Sequence, residues 1–129
     1  MSHLTYSPHS HKPLAWLAGE VKTPPFSAEA RKEAGFLLRL LQMGQRLSLP
    51  ESRPMPAIDP RCHELRVKDR GHEWRIVASI EPDAIVLLEV FDKKTAKTPH
   101  RVIDECKLRL ARYRKAIKGG GRTHEQGQG

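Results

Sequence analysis

Basic side chains collect on consecutive predicted strands in the second half of the chain. Arg66 and Lys68 are two residues apart, so they point to the same side of one strand. Arg75 points the same way from the next strand if the hairpin between them is tight. Arginine binds phosphate oxygens in a bidentate manner and lysine supplies a point charge, so the cluster suits a phosphodiester. The alternative interpretation is a solvated sheet face whose charges only maintain solubility.

Cleavage of RNA at such a cluster requires proton transfer as well as positive charge. Attack by a ribose 2′-hydroxyl needs a base, cations that stabilise the phosphorane, and an acid for the leaving oxygen. His63 and His72 are of the right residue type, but alternation puts His63 on the apolar face of its strand and His72 at a turn. A lysine whose pKa is lowered by neighbouring cations can act as the base instead. Lys68 is such a candidate, because the other cations of the cluster and Lys93, near the end of the third strand, are expected beside it.

The composition bounds the partners and the compartment. The 129 residues carry 23 Lys and Arg against 15 Asp and Glu, a net charge of +8 that favours a polyanion or an acidic protein as partner. The longest apolar run, 84–88, is far shorter than the ~20 residues that a membrane span requires. The N-terminus lacks the apolar segment of a secretory signal, and two cysteines cannot form a disulfide framework. We therefore expect a cytoplasmic protein with reduced thiols and no membrane contact.

The hydrophobic pattern predicts one folded domain between two polar tails. We expect a flexible N-terminal tail at 1–12, a single domain at 13–118 and a flexible C-terminal tail at 119–129. The short apolar run that begins at Leu14 predicts a first strand. A long amphipathic helix is predicted from Ser27, a good N-cap, to Gly44, a plausible stop.

The second half of the domain predicts a sheet followed by a helix. The proline-rich segment 48–60 predicts a loop. Three segments separated by short turns then predict an antiparallel meander: 63–68 and 72–80 alternate between apolar and polar residues, and 84–91 is nearly all apolar. Glu64 falls on the polar side of the first segment, and Val77 is an exception to the alternation of the second. A last helix is predicted from Thr98-Pro99 to the glycines at 119–121. Trp16 and Trp74 are expected in the core. The predicted class is α+β, a mainly antiparallel sheet with both helices packed on one face.

Three motifs of the chain resemble a known toxin family. They are ELRVKD at 64–69, WRIV at 74–77 and FDKKTAKTP at 91–99. The last is the most specific of the three, and the likeness extends over roughly Leu14 to Lys115. The chain resembles the HigB-like branch of the RelE/ParE toxin superfamily. The resemblance implies a small RelE-like fold, with 13–118 as the toxin domain of a type II toxin–antitoxin system.

The resemblance also implies an activity, and the expected site combines the residues that match its motifs with Lys68 and His72, the candidates identified above. Such toxins are endoribonucleases that cleave mRNA, usually on the ribosome, and they inhibit translation without a metal or organic cofactor. The catalytic residues expected here are Arg66, Lys68, Arg75 and Lys93. The residues expected to bind RNA are His72, Phe91, Lys94 and Lys97.

The partners implied by the resemblance are a cognate antitoxin, mRNA and the ribosome. The antitoxin is expected to be a helix-turn-helix protein, with operator DNA bound only through the toxin–antitoxin complex. Two alternatives stay open from the sequence. One is a ParE-like inhibitor of gyrase, and the other is a non-catalytic protein that binds nucleic acid or acts as a co-repressor.

Overall fold

The computed structural model describes the backbone of residues 11–128 and the side chains of residues 11–119. The elements in this part of the chain are β1 (Leu14–Trp16), α1 (Ala28–Gln42), β2 (Ser52–Pro54), β3 (Cys62–Asp69), β4 (His72–Ile80), β5 (Ile85–Asp92) and α2 (His100–Gln128). The strands form a five-stranded sheet in the order β1-β5-β4-β3-β2. Only the β1–β5 pair is parallel. The predicted α+β class with a mainly antiparallel sheet is therefore confirmed.

The predicted meander forms the centre of the sheet. β3 and β4 pair antiparallel from Cys62 opposite Ser79 to Asp69 opposite His72. The tight turn between them contains Gly71 at a φ of 76°, a left-handed conformation that glycine adopts without strain. β4 and β5 also pair antiparallel, with a register shift between Val77 and the next residue. This continuous pairing fixes which side chains share a face.

The two helices cover opposite faces of the sheet, so the prediction that both pack on one face is wrong. One core contains buried residues of α1 with Leu65, Ile76 and Leu87. The other core contains buried residues of α2 with Val77 and Leu88. The first half of β5 is apolar on both sides, and each apolar side must be covered.

The lengths of the helices differ from the prediction. α1 is shorter than the long helix predicted: it has 15 residues, with Ser27 as its N-cap and Met43 as its C-cap. Gly44 follows at a φ of 85° and ends the helix, as the sequence predicts. α2 has 29 residues and continues to Gln128, past the glycines where its end was predicted. Glycine weakens a helix without forbidding its backbone angles.

The proline-rich segment contains a strand that the sequence did not predict. β2 pairs with β3 at the edge of the sheet, where the missing N–H of Pro54 needs no partner. At the opposite edge, Trp16 is 42% exposed, so its expected place in the core is wrong. Trp74 is buried, as expected. Most of the predicted tail 1–12 lies outside the described residues.

A charged cluster attaches the middle of α2 to the rest of the domain. The Arg114 guanidinium donates two hydrogen bonds to Asp59, at 2.8 and 3.1 Å, and two to Glu81, at 2.7 and 3.0 Å. Glu81 is 3% exposed and also accepts a hydrogen bond from the Ser79 hydroxyl. Hydrogen bonds from Arg114 hold the pKa of both carboxyl groups below their ordinary values. This cluster fixes the position of α2 along the sheet.

The carboxylate of Asp69 joins the end of β3 to the start of α1. Its Oδ2 accepts hydrogen bonds from the Ser27 backbone N–H at 2.9 Å and from the Trp74 indole N–H at 3.0 Å. The bond from Ser27, and after it the bond from Trp74, lowers the pKa of Asp69 to about 2. The ionised carboxylate therefore holds α1 against the meander.

We predict that Asp69→Asn lowers the free energy of unfolding at neutral pH. The pKa of Asp69 is lower in the folded chain than in the unfolded chain, so its contribution is complete above the unfolded value and is lost as the pH falls. The difference between the wild type and the variant should be constant above about pH 5 and should shrink between about pH 4 and pH 2. Urea unfolding across this pH range measures it. A difference independent of pH would contradict the assigned ionisation.

Candidate nucleic-acid interface

The α2 side of the sheet changes from apolar to charged along the strands. Cys62 and Val77 belong to the core under α2. Glu64 comes next on β3 and is fully buried. Arg66 and Lys68 follow on the same side of β3, farther from that core. The charged part of this surface begins where the packing of α2 ends.

The register of the sheet brings the predicted cations together. Arg66 lies directly opposite Arg75, and Arg75 lies opposite Phe91 on β5. In the next row Lys68 lies opposite Glu73. The Lys93 backbone N–H donates to the Glu73 carbonyl at 2.8 Å, which extends this row to the end of β5. We call the surface formed by Arg66, Lys68, Glu73, Arg75 and Lys93 the basic face.

A pocket of about 430 Å³ opens on the basic face. It is lined by Glu33, Pro50, Glu51, Arg66, Lys68, Glu73 and Arg75. The predicted juxtaposition of Arg66, Lys68 and Arg75 is therefore confirmed. The pocket also contains carboxylates, which sequence reasoning did not place there. Glu73 is the nearest of them in the sheet register, and its side chain is 52% exposed.

Arg75 differs from the other cations because it is buried. Its side chain is 5% exposed, and its Nη1 donates to the Trp74 carbonyl at 3.1 Å. Its Nε lies 3.5 Å from Glu64 Oε1, and its Nη2 lies 3.5 Å from Glu73 Oε1. Two carboxylates thus compensate the charge of Arg75.

Arg66 and Lys68 are the accessible cations of this pocket. Arg66 is half-buried and Lys68 is exposed. Among the side chains that the structure describes, neither forms an ion pair or a side-chain hydrogen bond. Their charges are therefore available to an anion that enters the pocket.

Glu64 is a site residue whose importance sequence reasoning missed. Alternation correctly placed it on the same side as Arg66, but as an exposed residue. Its carboxylate is 0% exposed, and Oε2 accepts a hydrogen bond from the Thr98 hydroxyl at 3.1 Å. A buried carboxylate requires a partner, and Arg75 is that partner.

The residues predicted to bind RNA occupy three different surroundings. Phe91 is half-buried and packs against the α2-side core. Lys94 pairs with Asp92 at 2.9 Å. Lys97 and Lys93 line a second pocket at the start of α2. The lysines of the FDKKTAKTP motif therefore do not form one cluster.

His72 lies on the α1 side of the sheet, away from Arg66 and Arg75. Its ring stacks on Trp74 with 4.8 Å between the centroids, and its Nδ1 lies 2.6 Å from Asp92 Oδ2. Burial raises the pKa of Asp92, but hydrogen bonds from His72 and Lys94 outweigh this effect and hold the pKa well below its usual range. The structure thus separates His72 from Arg66 and Arg75, but places it beside Lys94, which pairs with the same Asp92 oxygen.

Two further properties constrain the chemistry of the described residues. Within residues 11–119, no three His, Cys, Asp or Glu side chains gather in a group that could hold a metal ion. Both thiols, Cys62 and Cys106, are free and buried, and burial raises the pKa of Cys62 to about 11 and that of Cys106 to about 12. Neither described helix combines the length and the apolar character that crossing a membrane requires.

Comparison with protein families assigns the chain to a group of phage origin. Residues 25–111 match the family described as phage derived protein Gp49-like (DUF891). The chain belongs to this family. Gp49-like proteins are a toxin-like family of the RelE/HigB type. No curated protein and no solved structure gives a significant match.

The matched region of the Gp49-like family contains every residue of the basic face. It begins just before α1 and ends within α2, so it includes the strands β2 to β5. The whole meander and the Glu64–Arg75 pair are therefore features of the part of the chain that the family describes.

We predict that Arg75→Ala destabilises the fold far more than Arg66→Ala. Removal of Arg75 leaves Glu64 buried without its ion-pair partner, and breaking a buried pair costs about 3–5 kcal/mol. Arg66 is half-buried and unpaired, so its truncation should cost about 1 kcal/mol or less. Urea unfolding of the three proteins measures both effects.

A double variant separates the pair from other effects of truncation. Glu64→Gln removes the buried charge, so Arg75→Met should destabilise less in that background than in the wild-type chain. Equal destabilisation in the two backgrounds would show that the pair has no energetic role.

Proposed function

We propose that this Gp49-like protein is the toxin of a type II toxin–antitoxin system and a ribosome-dependent mRNA endoribonuclease. The observation that supports the proposal is the basic face: two unpaired cations, Arg66 and Lys68, project into a pocket beside the compensated Arg75. The toxin-like family and the net charge of +8 support an RNA substrate further.

The geometry suits stabilisation of a phosphorane better than it suits binding alone. Arg66 can hold two phosphate oxygens with its guanidinium, and Lys68 adds a second positive charge two residues away. Arg75 is held by Glu64 of the adjacent strand and by Glu73 of its own strand, so its guanidinium is fixed in place rather than mobile. Such pre-organised charge stabilises a transition state without reorganisation.

Two groups next to Arg66 can remove the proton of the ribose 2′-hydroxyl. Lys68, the candidate base predicted from the sequence, can do so when it is neutral. Glu73 lies opposite Lys68 and is half exposed, and a carboxylate accepts a proton without first losing one. In both cases the proton moves from the 2′-oxygen to the side chain while that oxygen attacks phosphorus. The bond between phosphorus and the 5′-oxygen of the next nucleotide breaks, and that oxygen leaves and takes a proton from water.

The proposed toxin requires three kinds of partner: an antitoxin, mRNA and the ribosome. An antitoxin, expected to be a helix-turn-helix protein, neutralises the toxin and carries the complex to operator DNA. The activity takes place on translated mRNA at the ribosome in the cytoplasm and uses no cofactor. Arg66, Lys68, Arg75 and Lys93 are its proposed catalytic residues, and His72, Phe91, Lys94 and Lys97 are proposed to bind RNA.

We predict that induced expression stops growth and produces cuts within translated codons. Arg66→Ala and Lys68→Ala should each reduce cleavage by about 10²–10³-fold, the loss typical of one transition-state contact. Lys32→Ala is the matched control, because Lys32 is exposed on α1 on the other side of the sheet and should keep full activity. Primer extension on a translated message, with a version lacking its start codon, measures the cuts.

The outcomes distinguish the proposal from its alternatives. Cuts that require both translation and Arg66 support a ribosome-dependent nuclease. Growth arrest with a DNA-damage response and uncut mRNA would contradict the nuclease and favour a gyrase inhibitor. Full cleavage by Arg66→Ala, with unfolding behaviour like the wild type, would show that the basic face is not the catalytic site.

A further inference from the structure

A second basic pocket of about 400 Å³ lies between the start of α2 and the segment that follows β2. Its basic lining residues come from three parts of the chain: Arg53, Lys93, Lys97 and His100. The other lining residues are Pro54, Met55, Pro56, Ala57, Ala96, Thr98 and Ile103. Acidic side chains are absent from this lining, in contrast to the pocket on the basic face. The pocket therefore favours an anion.

The uncharged lining is largely apolar and the volume suits a small ligand. Proline, alanine, methionine and isoleucine side chains provide surface for a flat or hydrophobic group. Pockets of about 300–1,000 Å³ bind molecules of nucleotide or cofactor size. A ligand that joins an anionic group to a flat ring fits both parts of the lining, and a nucleotide is such a ligand.

Glu64 connects the second pocket with the basic face. Arg53 is the register partner of Glu64 across the β2–β3 pair. Thr98 lines the pocket and donates its hydroxyl to Glu64 Oε2, while Arg75 Nε lies 3.5 Å from Oε1 of the same carboxylate. Lys93 lines the pocket and also borders Glu73 through its backbone. The two pockets are therefore adjacent, with Glu64 between them.

We propose that the second pocket binds one nucleotide of a single-stranded RNA next to the basic face, with Arg53 and His100 as phosphate-binding residues. The proposal rests on the proposed function, because the strand in the pocket is the substrate of the basic face. The sequence pattern did not single out Arg53 or His100. The structure brings them to Lys93 and Lys97, whose role in RNA binding is itself proposed.

The test is the affinity of the full chain for a fluorescein-labelled single-stranded RNA hexamer, measured by fluorescence anisotropy against salt concentration. Arg53→Gln should weaken binding about tenfold, the effect of one lost charge-assisted contact. It should also reduce the slope of log affinity against log salt by about 0.7, because one phosphate contact is lost. His100→Gln should weaken binding in the same direction.

Lys107→Gln is the matched control, since Lys107 is an exposed cation of α2 outside the pocket lining. It removes the same charge as Arg53→Gln and should leave the affinity within about twofold and the salt slope unchanged, because a distant exposed charge is screened. Equal weakening by both variants would show that only net charge matters, and would overturn the proposal. Wild-type affinity and salt slope in Arg53→Gln would overturn it as well.

Competition and cleavage distinguish the ligand and the two proposals. A nucleoside 5′-monophosphate should compete with the RNA at lower concentration than inorganic phosphate, because it also fills the apolar part of the pocket; equal competition would overturn the nucleotide assignment. RNA binding that depends on Arg53 in a chain that cuts no mRNA would support the pocket and refute the proposed nuclease. Cuts that require Arg66, together with RNA binding that does not change when Arg53 is substituted, would support the proposed nuclease and refute the proposed pocket.

Discussion

The ion pair between Glu64 and Arg75 joins the apolar core to the charged surface. Neither side chain is accessible enough to be solvated on its own, so each position requires the other. On one side of the pair, Val77 packs under α2; on the other, Arg66 faces solvent. Thr98 adds a hydrogen bond to the same carboxylate and fixes the loop before α2. Arg75 lines the pocket on the basic face and Thr98 lines the second pocket, so this carboxylate lies between the two.

Two separate charge arrangements perform different tasks in this domain. The Arg114 cluster is fully compensated by Asp59 and Glu81, and it holds α2 on the sheet. The cations of the basic face are only partly compensated, which leaves Arg66 and Lys68 available to a ligand. Two unpaired cations are therefore retained where an anion can reach them. A merely solvated sheet face would not need a buried carboxylate beneath it.

The sequence predicted the meander well because its signals are local. Strict alternation around Leu65 and the glycine turn at Gly71 determine the pairing of β3 with β4, and parity then places Arg66 beside Arg75. Predictions that depend on distant packing were less successful. Val77 looked like an exception to alternation, whereas it is the sign of a second apolar face that α2 covers.

The parts of the site that the sequence did not reveal all depend on three-dimensional burial. Glu64 has the pattern of an exposed residue, and only the three-dimensional structure shows that it is buried. Arg53 lies in a proline-rich segment without a regular pattern, so its approach to His100 could not be predicted. His72 has the same parity as Trp74, which could have placed it on the α1 side.

The parallel pairing of β1 with β5 has a consequence for the order of folding. Leu14 pairs with Ile85, far along the chain, whereas each pair within the meander joins neighbours in sequence. Closing a long loop loses more conformational entropy than forming a hairpin. We therefore expect the meander to fold first and the N-terminal strand to dock last. During synthesis, β1 is made before the other strands, but it can pair only after β5 has been made, and only then is the sheet complete.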